Sequence, residues 1–449
     1  SVLLNVIHED AESVIKVGVH DITKTIVLDA LSSPSYYWKN TKTYKDNKKD
    51  DSKEDDGIGV DLKPYAMAFY TIKHIDNTIF TTFKIDDIEA FKKYIDKYAK
   101  EKSSVIINDA KGYKKLTLEK SKLMLAWNSE KIAVALTLDT PLDKLKTVFE
   151  DVLLKDKLIS DKNHDIIKKL SSTSDHIVFV NKESLITLNF KDKGAIVHGD
   201  IYTKDSEIYK TSTTYNSLPE ASLQLYFDAN FNNKENEKAF SKNFENVSFF
   251  SKNNIEVAEL ANRTNGFFSA AIIGRTTQLD TIISYDYDDN FEKVAVKKLQ
   301  EKEVPKITIN LGVNENESLD TYLKNNGAIA NDVLLSIPYY TFYAKENNQI
   351  VSFNTTKEKL KTEEKNSASF FKLDVDFNHL QKDITISRAN DVFALLETLN
   401  IEANQLKGTN KIKIVGNLLG KNEDVNIISQ IFFGLQKIEA EENSSNENI

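Results

Sequence analysis

The chain has 449 residues, no cysteine and a formal net charge of −9, which implies two or three domains and removes disulfides, thiolate nucleophiles and Cys-ligated zinc. Only Arg263, Arg275 and Arg388 are arginine, so the guanidinium forks that read phosphates and base edges are nearly missing and nucleic acid is not expected as a partner. No window reaches the roughly 18 apolar residues of a spanning helix, while 40% hydrophobic residues suffice for buried cores.

Ser13 to Val19 alternates as a strand, and Asp21 then opens a helix bearing Ile22, Ile26, Val27, Ala30 and Leu31. Ser32 to Ser35 ends it, and the aromatic cluster Tyr36, Tyr37, Trp38 follows. Aromatics are favoured at interfaces, which makes these three the candidate interaction patch; packing of a helix end on the core is the alternative. Residues 42–56 mix Lys and Asp with almost no apolar side chain and read as a solvated loop. No frame there supplies the Gly and terminal Glu of a calcium loop.

Tyr65 to Lys100 reads as strand, turn, strand and amphipathic helix. Ala66–Thr71 and Thr78–Lys84 are aromatic and β-branched, with Asp76-Asn77 as the predicted turn. Asp86 is the predicted N-cap, with Glu89 in the first turn and a stripe of Ile88, Phe91, Tyr94, Ile95 and Tyr98. Lys122 to Leu138 makes a second hairpin turning at Asn128-Ser129-Glu130, and Thr140 with Pro141 is placed to start a helix bearing Leu142, Leu145, Val148, Phe149 and Val152. After polar residues 156–175 comes a meander: Ile177–Val180, Leu185–Phe190, a turn at Lys191 to Gly194, Ala195–Tyr202 and Glu207–Tyr215.

From Ser222 the same grammar restarts. A strand, polar turn and short helix precede strand pairs over Gly266–Tyr287, then strand and helix over Ile307–Lys324, and a hairpin over Leu334–Thr355 turning at Glu346-Asn347-Asn348. IVSFNTTKEKLK there echoes the earlier IAVALTLDTPLDKLK, including Thr at a helix cap. The expected fold is α+β, mostly antiparallel sheets with helices packed on one face, in two similar halves from an internal duplication. The expected domains are an N-terminal half, 1–160; a connecting β-meander, 161–220; a C-terminal half, 221–438; and a disordered acidic tail, 439–449.

Catalytic signatures are missing. The seven histidines (8, 20, 74, 164, 176, 198, 379) show no HxH or HExxH pairing, and there is no G-x-S-x-G elbow. Gly416 to Asn422 is one residue short of a phosphate loop and has Asn422 where Ser or Thr would hold magnesium. Asp286, Asp288 and Asn290 open like a calcium loop, but Phe291 stands at the glycine position. No catalytic, metal or cofactor-binding residue is therefore assigned, and no cofactor is expected.

The opening IHEDAESVIKVGVHDITKTIVLDALSSPSYYW, the YAMAFYTI strand, the FKIDDIEAFKKYI helix, the AWNSEKIAVAL hairpin and the closing NLLGKNEDVNIISQIFFGL together resemble an uncharacterised family of Bacteroidota envelope lipoproteins. That family begins with a P-x-D-A-like start; His8-Glu9-Asp10-Ala11 stands there without the Pro. The resemblance implies export to the periplasm or outer membrane and an N-terminal lipid anchor ahead of Ser1. It brings no activity and no functional residues. The function expected is a non-enzymatic, envelope-anchored binding or assembly subunit with envelope or outer-membrane protein partners. The alternative is a carrier of a lipid or other amphiphile in an apolar cavity between sheet and helices.

Overall fold

The computed structural model describes residues 3–37, 59–60, 66–138, 140–287, 293–385 and 389–435, with backbone alone at 281–287 and 293–296. Trp38, the charged run 42–56 and the tail 439–449 lie outside the described residues. The chain divides into two compact units, Ser1–Ile201 with Glu423–Ile449, and Tyr202–Asn422. Each is α+β and built on antiparallel pairing.

The first unit contains β1 (Ala11–Val17), β2 (Met67–Ile72), β3 (Ile75–Lys84), β4 (Ile107–Asn108), β5 (Lys114–Leu118), β6 (Leu123–Trp127), β7 (Lys131–Thr137), β8 (Ile177–Asn181), β9 (Ser184–Phe190) and β10 (Gly194–Tyr202). Its helices are α1 (Val19–Ser32), α2 (Ile88–Glu101), α3 (Lys146–Leu154, after a 3-10 turn over Leu142–Leu145) and α4 (Asp165–Ser171). Successive pairings give the strand order β4-β5-β6-β7-β3-β2-β1-β8-β9-β10, antiparallel throughout. The strands expected as a separate connecting meander thus complete this sheet, because Ile177–Asn181 pairs with Ser13–Val17.

Local chemistry explains where the chain turns. The β2–β3 connection is Lys73-His74, with His74 at φ 69°, one turn earlier than the Asp76-Asn77 expected; Asn77, at φ 51°, sits in a bulge of β3 instead. The cap of α2 is Asp87, not Asp86: its Oδ1 accepts the N–H groups of Glu89 and Ala90, each at 3.0 Å. Thr140 does not cap the next helix; its hydroxyl donates to the Asp76 carbonyl at 2.7 Å, and Pro141 precedes the 3-10 turn. The turn at Asn128 forms as expected, its side-chain oxygen accepting from Glu130 and Lys131 at 2.8 Å.

Helices cover both faces of this sheet rather than one. Met124, Ala126, Ala133 and Ala135 pack into a cluster with Val148, Phe149 and Val152 of α3 and Ile167 and Leu170 of α4. Their sequence neighbours Trp127 and Ile132 pack under Phe91, Ile95 and Ala99 of α2. Adjacent residues of a strand point to opposite faces, and β6 and β7 are apolar at both parities, so both faces need cover. Burying Phe91 and Ile95 stabilises the second layer by about 1.5–3 kcal/mol each. Tyr94, expected in that stripe, is exposed and stacks on Tyr98 at 6.2 Å.

The second unit contains β11 (Thr213–Ser217), β12 (Leu223–Asp228), β13 (Thr264–Tyr287), β14 (Lys293–Val313), β15 (Ile329–Ala330), β16 (Val333–Leu334), β17 (Phe342–Asn347), β18 (Ile350–Asn354), β19 (Glu363–Ser367), β20 (Phe371–Asp376), β21 (Leu396–Gln405) and β22 (Lys411–Gly420). Its helices are α5 (Lys234–Phe244), α6 (Ser248–Lys252), α7 (Val257–Arg263), α8 (Leu319–Asn325), α9 (Phe377–Asp383) and α10 (Ala389–Phe393). The main sheet runs β15-β16-β17-β18-β14-β13-β12-β20-β21-β22, and β11 pairs with β19 apart from it. Strand for strand this is the order of the first unit, with β12 in the place of β1 and β22 in that of β10. The equality is one of topology; a common origin of the halves is a separate proposition.

Three features of this unit depart from the sequence-based expectation. Gly266–Tyr287 is part of one 24-residue strand, not a set of strand pairs. The β17–β18 turn falls at Asn348-Gln349, both at positive φ, one residue later than expected. No helix follows β18: Thr355 is fully buried, its hydroxyl donating to Pro305 O and accepting from Ile307 N at 2.8 Å, which ties the backbone down where a helix would start.

Candidate interaction surfaces

In the first unit, α1 starts at Gly18, whose N–H donates to His176 O at 2.7 Å. The helix is held by Thr25 Oγ1 against His176 Nε2 at 2.7 Å, while His176 Nδ1 accepts the Phe190 N–H. The accepting Nδ1 places the imidazole proton on Nε2, facing the threonine. Ile26, Val27 and Leu28 are consecutive and cannot share a face at 100° per residue, so the helix cannot bury all of its apolar residues. Val27, Leu28 and Leu31 are 53%, 56% and 74% exposed, and the one fully buried residue of α1 is Asp29.

Asp29 ties the helix to its neighbours. Its Oδ2 accepts the Tyr37 hydroxyl at 2.5 Å, and the same hydroxyl meets Ser429 Oγ on the helical stretch 427–435. Burial, and then the bond to Asp29, push the Tyr37 phenol well above its usual range. Tyr36 and Tyr37 close edge-to-face on Phe433 at 6.1 and 5.5 Å, and Phe432 lies beside Phe433. The structure thus brings Tyr36 and Tyr37 together as a half-buried seam between helices, whereas Trp38 is outside the described residues. Exposed apolar side chains lie on the same elements: Val27, Leu28 and Leu31 on α1, and Phe432 and Leu435 on the 427–435 stretch. Sequence reasoning put Val27 and Leu31 on α1 without assigning their burial; the unbroken Ile26-Val27-Leu28 run is the signal that one face cannot take them all.

The second unit carries a different feature. The β13–β14 ladder continues past the bulge between Ile272 and Arg275 out to the pair Tyr287↔Lys293. β12 meets β13 only over Phe267–Ile272, and β18 meets β14 only over Thr308–Gly312. Past Arg275 and Pro305 the two strands therefore pair only with each other among the described residues. The root is anchored by Arg275, which donates to Asp383 O at 3.1 Å, and by buried Gln278, whose amide donates to Thr341 O and Thr355 O at 2.7 Å. From Leu279 to Tyr287 the ribbon spans roughly 26 Å at ~3.3 Å per residue. At its root Leu279 and Leu299 are 65% and 70% exposed, and because Leu279 pairs with Glu301 and Thr281 with Leu299 they share one face. The corresponding β2–β3 hairpin of the first unit ends at Ile72↔Ile75 without any such extension.

Among the described residues the titratable groups form separate local pairs and clusters. His164 caps α4 through Nδ1, His176 anchors α1, and His379 pairs with Asp376 at 2.7 Å. An ionic cluster joins Asp109 to Lys115 and Lys146, and Glu150 to Lys111 and Lys146, beside the buried Tyr113. Burial pushes the Tyr113 phenol up to about 12, with Asp109 and Glu150 adding to it. Among the described residues no three His, Cys, Asp or Glu side chains are placed to hold a metal ion. No helix among them is long and apolar enough to cross a membrane.

No protein-family model matches the chain, and no curated protein matches it. Among solved structures, crystal form III of TP0453 is similar at 8% identity and a TM-score of 0.22, over 77% of this chain and 89% of that one.

Proposed function

We propose that the protein is a non-enzymatic binding or assembly subunit anchored in the cell envelope, a component of an outer-membrane protein complex. The observation that carries this reading is the β13–β14 ribbon. A two-stranded ribbon is marginally stable alone in water, and its unpaired edges are a template for further pairing. A chain that keeps such a ribbon, with two leucines exposed on one face, gains from a partner that covers it. The resemblance to envelope lipoproteins supports the cell envelope as its compartment.

The test is to replace residues 279–301 by a two-residue turn, leaving Gln278 and its anchoring bonds, and to compare native-gel mobility in mild-detergent envelope extracts. The intact chain is expected in a larger complex and the shortened one free, with L279D/L299D weakening the complex. Equal mobility of all three would refute the reading. The amphiphile-carrier reading draws support from α5 and α6, neither of which buries a residue fully although Phe240, Phe249 and Phe250 pack on the core below. Native mass spectrometry separates the two: a co-purified lipid mass favours the carrier.

A further inference from the structure

Residues 3–10 form a strap along the first unit. Asn5 N–H donates to Ile159 O, Ile159 N–H to Ile7 O, and Glu9 N–H to Lys157 O, at 2.8–3.1 Å. Leu3 and Ile7 enter the same buried cluster as Phe149, Leu158 and Ile159. Between these anchors sits His8, only 2% exposed.

We propose that His8 makes this strap an acid-sensitive latch, closed while the imidazole is neutral and released when it is protonated. In the closed state Nδ1 accepts the Asp10 N–H at 3.0 Å, which leaves the proton on Nε2. Nε2 lies 3.7 Å from Asp151 Oδ2 and has no hydrogen-bond partner among the described residues. Protonation puts a second N–H on Nδ1, where it faces the Asp10 N–H, donor against donor.

The charged groups facing the ring are Glu9 and Asp10 on the strap, Asp151 on α3, and Lys157 beyond α3. Asp10 and Asp151 attract an imidazolium, but Asp151 already accepts Lys155 at 2.8 Å and Lys157 at 3.0 Å. Burial prevails and, with repulsion from Lys157, lowers the His8 pKa below its ordinary value. The closed strap therefore binds fewer protons than the open one. Closure is at full strength above the free-histidine pKa of about 6.5 and weakens as pH falls below it, the opening constant rising up to about tenfold per pH unit.

Hydrogen exchange on the full chain tests this. Between pH 7.5 and 5.5, after correction for intrinsic rates, the amides of Asn5, Glu9 and Ile159 are expected to lose up to about tenfold in protection, while β1–β8 amides keep theirs. His8→Asn retains an acceptor for the Asp10 N–H but cannot titrate, and its strap protection is expected to be the same at both pH values. Unchanged wild-type protection, or an equal loss in His8→Asn, overturns the latch. Should that variant fail to fold, titration of the His8 ring protons in the wild type decides: a midpoint below 6.5 supports the proposal and one at or above it overturns it.

Discussion

Tyr37→Phe isolates the contact that closes the α1 seam. The substitution keeps the ring, so the edge-to-face packing on Tyr36 and Phe433 survives. It removes the only hydrogen bond that the Asp29 carboxylate oxygens make among the described residues, since Oδ1 already lacks a partner there and Asp29 is 3% exposed. A hydrogen bond to a charged group contributes about 1.5–3 kcal/mol, and stranding a buried carboxylate adds to its loss. The expected destabilisation is about 2–3 kcal/mol. For a unit of this size it lowers the first unit's melting temperature by roughly 4–12 °C in calorimetry. A double-mutant cycle separates this contact from general loosening. In an Asp29→Leu background no carboxylate remains to be stranded and only the Tyr37–Ser429 hydrogen bond is lost, so the cost of Tyr37→Phe should fall to about 0.5–1.5 kcal/mol. A single-variant effect below about 0.5 kcal/mol, or an undiminished cost in the Asp29→Leu background, would refute the assignment of Asp29 and Tyr37 as the closing pair.

Asp87→Ala is expected to destabilise by about 1 kcal/mol through loss of the α2 cap, whereas Asp86→Ala stays within about 0.5; the reverse order in urea melts would move the cap back to Asp86. Phe149→Ala, which empties a fully buried site under α3, should cost about 3–5 kcal/mol by the same melts. Tyr113→Phe removes a buried hydroxyl that has no hydrogen-bond partner among the described residues and is expected to be near neutral at pH 7. Because the wild-type phenol is raised to about 12, its contribution is fully present below about pH 10 and is lost as pH rises towards 12. Denaturation of the two proteins across pH 9–12 should show the wild type falling more steeply, and parallel curves would count against the raised phenol.

Periodicity made the elements legible from residues alone. The alternation in β2, β3, β6 and β7 and the spacing of Ile88, Phe91, Tyr94, Ile95 and Tyr98 are local patterns, and they recover the α+β class. The echo between IAVALTLDTPLDKLK and IVSFNTTKEKLK falls on β7 and β18, which hold the same place in the two strand orders. The α2 cap and the β17–β18 turn were legible to within a residue, because neighbouring Asp and Asn residues compete for one local hydrogen bond and composition does not choose among them, whereas the β2–β3 turn lies three residues from Asp76-Asn77 and Thr140 caps no helix. Tertiary structure decided the rest. Pairing of β8 with β1 joins residues about 160 positions apart, and no local pattern encodes that partner. Coverage of both faces of β6 and β7 depended on where α2 and α3 returned to the sheet. Asp29 and His8 read as ordinary polar residues in sequence; their burial follows from Tyr37 and Ser429 closing over one and residues 157–159 pairing across the other. A side chain's chemistry depends on the dielectric and the partners around it, and both are properties of chain segments that meet only in the folded state.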